Sequence, residues 1–187
     1  GLGDGLATIL GGAIDSLSTA GKNNNKGGIF GGLFGRKGTP TATPAVGKVV
    51  EPIAKPKVAP AVRGAGSGSV APLLALIRRY EAGSKGYDAY YTGVSKPPPR
   101  RLTTMTVREV LAWQDRIDPY SPSEAAGAYQ IMEDTLRPMV ASGVVASGAL
   151  YNKSTQDKLA MNLLRRRGLT KYQNGTLSAE AFANNIA

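Results

Sequence analysis

The stretch LLALIRRYEAGSKGYDAYYTG (73–93) passes from an apolar helical stripe, through one carboxylate at Glu81, into a segment of glycines and tyrosines. Leu73, Leu74, Ile77, Tyr80 and Glu81 fall on a single helical face. Pro72 suits a first helical turn and Gly83 a C-terminal cap. The run GYDAYYTG that follows is short, aromatic and bounded by glycine, which predicts a brief strand or hairpin. Glu81 therefore lies on an inward face at a helix end, and two readings stand side by side. It is a structural glutamate, paired with Arg78 three residues earlier, or it is a catalytic acid. Burial and the negative end of the helix dipole would both favour its protonated form, as a general acid requires.

Composition narrows the chemistry. The chain of 187 residues contains no cysteine and no histidine. That removes disulfides, Ser-His-Asp and Cys-His nucleophile systems and the usual zinc ligands. Acid–base work falls to carboxylates, tyrosine or lysine, and neither a metal nor an organic cofactor is expected. The net charge of +10 suits nucleic acid, anionic lipid or a bacterial cell wall, and selects none of them. With no zinc finger, RNA-recognition motif or helix-turn-helix, nucleic acid ranks last as a specific ligand. No run approaches the roughly 18–20 apolar residues of a membrane span. The opening GLGDGLATILGGAIDSL lacks the leader of a secretory signal, and Gly1 reads as a processed start.

Residues 1–70 read as a non-globular arm. Within 1–38, Leu6, Ile9, Leu10, Ile14 and Leu17 fall at helical spacing, followed by Ile29, Phe30, Leu33 and Phe34 among glycines. Gly11 and Gly12 weaken that helix by roughly 1 kcal/mol each relative to alanine. Residues 39–70 repeat proline among small residues and end in GAGSGS, a semi-rigid tether with a flexible joint. The composition is that of a linker; the apolar pieces of 1–38 also suit docking to other proteins of an assembly or contact with a membrane.

From 71 to 187 the texture becomes that of a folded domain. SKPPPRR must be an exposed loop. TVREVLAWQ opens with a capping-box pattern, Thr106 and Glu109, and places Val107, Val110, Leu111 and Gln114 on one face. SPSEAAGAYQIMEDTLRPMV reads as another helix, with Pro138 near its end. STQDKLAMNLLRRRG turns Leu159, Leu163 and Leu164 inward and stops at Gly168, and SAEAFANNIA starts a last helix aligning Phe182 and Ile186. The expected fold class is mostly α (α+β), with one small β element.

Four motifs in series carry a resemblance across 71–187. EAGSKGYDAYY, LTTMTVREVLAWQ, SPSEAAGAYQIMEDTL and LYNKSTQDKLAMNLLRRRG resemble the phage lysozyme-like peptidoglycan-cleaving domains of the lambda endolysin type. Those domains carry a catalytic glutamate at the end of the first core helix and an S-x-A-A-G-x-Y-Q-I block, matched here by Ser123, Ala125, Ala126, Gly127, Tyr129, Gln130 and Ile131. The resemblance implies a lysozyme-like fold and a lytic transglycosylase or lysozyme. Glu81 would protonate the β-1,4 link between N-acetylmuramic acid and N-acetylglucosamine, then act as base while the muramyl 6-hydroxyl closes a 1,6-anhydro ring. Tyr129, Gln130, Gly127, Tyr87 and Asp88 would line the substrate cleft. Asp88 is the nearby candidate for the second carboxylate of a hydrolysing enzyme, and an ordinary turn aspartate beside Gly86 otherwise. The sequence departs from the pattern at Ala128, at Glu124, and in ending at Ala187 without the family's tryptophan-containing segment. Together with the arm, the resemblance implies a virion-associated enzyme that opens the host wall and periplasm locally during phage genome entry. Its implied partners are peptidoglycan and, through the arm, other virion proteins. The competing expectation is a non-catalytic virion structural or membrane-penetrating protein whose domain only binds glycan.

Overall fold

The computed structural model describes residues 69–186. The expected helix at 4–18, the docking segment 1–38 and nearly all of the linker 39–70 lie outside the described residues.

Among the described residues six α-helices follow one another: α1 (Ala71–Ala82), α2 (Val107–Ile117), α3 (Glu133–Ala141), α4 (Lys153–Arg166), α5 (Leu169–Gln173) and α6 (Ala179–Ile186). Helix α1 forms as its periodicity predicts. It buries Leu73, Leu74, Ile77 and Ala82, carries proline in its first turn, and stops at Gly83, whose φ of 52° a side chain would resist. Helix α2 is held at its start by the capping box: Glu109 N–H donates to Thr106 Oγ1, and Thr106 N–H donates to Glu109 Oε2 at 2.7 Å. Its inward face is Val107, Val110, Leu111, Trp113, Gln114 and Ile117. Helix α4 buries Gln156, Leu159, Ala160, Leu163 and Leu164, and Gly168 follows in the left-handed region. Phe182 of α6 stacks on Tyr172 at 5.3 Å between ring centroids. Trp113, Tyr129, Tyr151, Phe182, Ile77 and Leu102 are among the large side chains wholly enclosed in one core. Each such burial contributes on the order of 1.5–3 kcal/mol.

Two sequence expectations are corrected. The α+β class with a small β element does not hold, because among the described residues there is no strand or sheet, only isolated bridges. Of the segment read as a brief strand or hairpin (86–93), residues 86–88 complete a 3-10 turn, Gly83–Asp88, and the rest forms no strand. Positive φ at Gly83 and again at Gly86 breaks any extended run, and the one backbone bridge nearby joins Tyr90 to Ala126. Tyr90 sets its ring edge-on to Trp113 instead of lining up with a cross-strand partner. Without its β element, the lysozyme-like fold implied by the resemblance falls as well.

The second correction concerns the helix read across SPSEAAGAYQIMEDTLRPMV, which is helical only over Glu133–Ala141. Gly127 at φ 78° and Gln130 at φ 48° turn the chain sharply just before it. Ala126 and Ile131 exchange both backbone hydrogen bonds, at 3.1 and 2.9 Å, closing residues 127–130 into a tight loop.

The capping box is the feature of this fold most simply tested. Thr106→Ala is expected to lower stability by about 1 kcal/mol, read from the urea midpoint. Hydrogen bonds from the Thr106 amide, Arg100 and the Thr106 hydroxyl lower the Glu109 pKa from 4.5 to about 2. A pKa depressed by folding gives stability that is complete above the unfolded value and is lost as pH falls through the folded one. The cap should therefore weaken between pH 4.5 and about 2. Glu109→Gln should be less stable at neutral pH and should lack this part of the acid limb.

Candidate functional site

Glu81 lies in the last turn of α1, and both of its carboxylate oxygens are shielded from solvent. The chain that follows it is fastened on two sides. Asp88, at the end of the 3-10 turn, accepts from Arg101 Nε and Nη2 at 2.9 and 2.8 Å and from the Thr103 amide and hydroxyl at 2.9 and 2.8 Å. Burial alone would raise the Asp88 pKa, but these bonds hold it below the usual carboxylate range. The Asp88 carboxylate is thus a staple between the 3-10 turn and residues 101–103. On the other side, Ala89 C=O accepts from Gly127 N–H at 2.7 Å, tying the segment after Glu81 to the 127–130 turn.

That turn brings together three of the residues singled out in the sequence. Gly127 has its bare Cα against α4: an added Cβ would lie 2.9 Å from Tyr151 Cε1 and closer still to Gln156 Oε1. Gln130 holds a left-handed backbone, a strain on the order of 1–3 kcal/mol for a residue with a side chain. Two bonds to Gly127 C=O maintain it, from the Gln130 amide at 3.1 Å and from its Nε2 at 2.7 Å. Tyr129 is completely enclosed and sends its hydroxyl to Asp157 Oδ1 at 2.5 Å. Burial and that bond push its phenol well above the usual range, so Tyr129 stays a neutral donor. It supports the turn from beneath.

Asp157 and Gln156, neighbours in the first half of α4, organise the surroundings. Asp157 Oδ1 also accepts from Tyr87 OH at 2.8 Å, and Oδ2 accepts from Lys153 Nζ at 2.6 Å. Arg78 donates to Tyr129 OH at 3.1 Å and lies 3.9 Å from Asp157, with its guanidinium over the Tyr87 ring. Burial would raise the Asp157 pKa, but the bonds from Lys153, Tyr129 and Tyr87 outweigh it and the carboxylate stays ionised below its ordinary value. Gln156 is fully buried. Its Oε1 accepts from Ala128 N–H at 2.8 Å, and its Nε2 donates to Tyr87 C=O at 3.0 Å and Tyr151 C=O at 2.7 Å. Beside this cluster an open groove of about 520 Å³ is lined by Asn152, Lys153, Ser154 and Asp157.

The structure thus brings Tyr87, Gly127, Tyr129 and Gln130 together around α4, directs Asp88 to Arg101 and Thr103, and leaves Glu81 at the helix end just before them. Arg78, which the sequence offered as a partner for Glu81, donates to Tyr129 OH and lies 3.9 Å from Asp157. Sequence reading quoted Gln156 and Asp157 without giving them a part, and gave Lys153 none. The signal for Gln156 was present: a polar residue three, four and seven positions before Leu159, Ala160 and Leu163, on the face that must be buried. Glu124, noted only as a departure, proves to be a buried carboxylate, with its backbone C=O accepting from Gln114. Among the described residues no cluster of three or more His, Cys, Asp or Glu side chains is placed to hold a metal ion.

Comparison with family models, with curated proteins and with solved structures finds no match. Membership of the phage lysozyme-like domains is therefore not upheld. The described domain is all-helical where that fold requires a β element, and the four motifs do not add up to a family match.

Gly127→Ala should be the most disruptive single-atom change at this site. It places a Cβ in a left-handed turn and against Gln156, and is expected to cost more than about 1 kcal/mol. Thermal melting checks this. Gly143→Ala, at similar positive φ but with open space around it, serves as the control for backbone strain alone and should cost less.

Proposed function

We propose that this domain is a carboxylate-dependent glycosidase that cleaves the β-1,4 link between N-acetylmuramic acid and N-acetylglucosamine in peptidoglycan, with Glu81 as proton donor. The observation that carries the reading is the seclusion of both Glu81 oxygens from solvent at the end of a helix, in a segment tied to the 127–130 turn through Ala89. Removing a carboxyl group from water favours its protonated form, the form a glycosidic general acid needs. The absence of histidine and cysteine leaves carboxylates, tyrosine or lysine to do such work, and a net charge of +10 suits an anionic wall.

A single glutamate suffices for lytic transglycosylation. Glu81 gives its proton to the departing glycosidic oxygen; the resulting carboxylate then takes the proton of the muramyl 6-hydroxyl as that oxygen closes on C1, yielding a 1,6-anhydro end. Asp88, engaged by four donors from Arg101 and Thr103, is poorly suited to attack or to stabilise an oxocarbenium ion, and this favours the single-glutamate route. Local wall opening by a phage particle, with residues 1–70 as tether to other virion proteins, belongs to the same proposal and rests on the arm's sequence alone.

The test is digestion of purified peptidoglycan by the full chain and by Glu81→Gln, with mass analysis of the released muropeptides. The expected result is 1,6-anhydromuramic ends, with a loss of at least about a hundredfold in rate in the variant. Reducing ends that still depend on Glu81 would make water the acceptor and the enzyme a hydrolase. No release by either folded protein would overturn the enzyme reading in favour of glycan binding alone.

A further inference from the structure

Lys153 is unlike an ordinary surface lysine. Its side chain is 67% exposed and lines the open groove, yet its ammonium is fixed from three sides. Asp157 Oδ2 lies at 2.6 Å, Tyr87 OH at 3.2 Å, and the centroid of the Tyr87 ring at 5.3 Å. A free lysine loses considerable rotamer freedom when it binds something; here that loss has already occurred in the folded protein. An ammonium carries three donors, and two of them are engaged by Asp157 and Tyr87.

The charge around it is unbalanced. Arg78 and Lys153 share one carboxylate, Asp157, and the hydroxyls of Tyr87 and Tyr129 donate to that same carboxylate. Among these four side chains and Asp157, two cations thus face one carboxylate, which already accepts three hydrogen bonds. Beside the Asp157 carboxylate, already engaged by Lys153, the groove offers a ligand the Lys153 ammonium, the Ser154 hydroxyl and the amide N–H₂ of Asn152, whose carbonyl oxygen accepts from the Thr155 amide. The complement of such a groove is an anionic acceptor.

We propose that this groove receives a carboxylate borne by the glycan strand, as the peptide substituents of peptidoglycan provide, and that Lys153 selects for it. The inference rests on the glycan reading above and adds which glycan: one carrying carboxylates in preference to a neutral N-acetylglucosamine polymer. Lys153 is a specificity residue in this account and takes no part in proton transfer.

The experiment measures binding without turnover. The full chain carrying Glu81→Gln is titrated calorimetrically with a soluble peptidoglycan tetrasaccharide whose peptide carboxylates are free, and with the same fragment after their conversion to amides. The free carboxylates are expected to strengthen binding by about tenfold at low salt, the scale of one charge-assisted hydrogen bond. Adding Lys153→Gln should abolish the difference, and Lys153→Arg should keep most of it. Exposure of the side chain makes both variants benign to folding, which a thermal melt verifies. Equal binding of the two fragments, or a preference that survives Lys153→Gln, overturns this inference alone. Failure of both fragments to bind overturns it together with the glycan reading.

Discussion

A primary amide buried inside a protein must find partners for two N–H groups and an oxygen, or cost about 1–3 kcal/mol for each group left unpaired. Gln156 meets that demand with backbone drawn from three separate places: Tyr87 within the 3-10 turn, Tyr151 before α4, and Ala128 in the 127–130 turn. Those backbone groups are in turn satisfied by Gln156, so neither side has an alternative away from water. The arrangement also fixes residue 127 as glycine, because the turn passes too close to the amide for any side chain. Most of what positions the candidate site follows from this one side chain, and Asp157, the next residue, repeats the pattern with side-chain donors.

The consequence for function is rigidity on both sides of Glu81. The helix that carries it is joined through Arg78 to Tyr129 and Asp157, and the segment after it is joined through Tyr87 and Ala89 to α4 and the turn. The end of α1 is thereby fixed relative to the 127–130 turn and the head of α4. Strain at Gln130 is tolerated because the surrounding bonds leave the backbone no other course, a situation that recurs where proteins position functional groups. The cations of the cluster share their partners in a graded way: Arg78 is turned inward to the phenol and carboxylate, while Lys153 remains in contact with solvent.

Local rules were legible where they decided the outcome. Helices α1, α2, α4 and α6 form over the apolar stripes that predict them, and the Thr106–Glu109 box and the glycines at 83 and 168 mark boundaries as expected. The inward placement of Glu81 was also readable from its spacing after Leu73, Leu74 and Ile77. What could not be read was decided at long range. Residues 123–131 are rich in alanine and look helical, yet Gln156, 28 residues beyond Ala128, takes its amide and holds the turn. The tyrosine-rich run after Gly86 has strand-like composition, yet Gln156 and Arg101 hold its start at Tyr87 and Asp88, and Trp113 takes the Tyr90 ring. The series of motifs suggested a known fold because short polar and glycine patterns recur wherever tight turns meet helices, and a β element could not be tested until backbone pairing was seen. Lys153 and Asp157 were invisible as a pair with the tyrosines, since nothing in sequence announces contacts across some 70 residues.

The central claim is that the end of α1, the 127–130 turn and the groove at the head of α4 form one glycan site with Glu81 at its reacting centre. A crystal structure of the full chain carrying Glu81→Gln, with a peptidoglycan tetrasaccharide bound, tests this most directly. The account predicts a glycosidic oxygen within hydrogen-bonding distance of the side chain at position 81, with the strand running past Gln130 toward Lys153. A fragment bound elsewhere on the domain, with position 81 out of reach of any glycosidic oxygen, would contradict it.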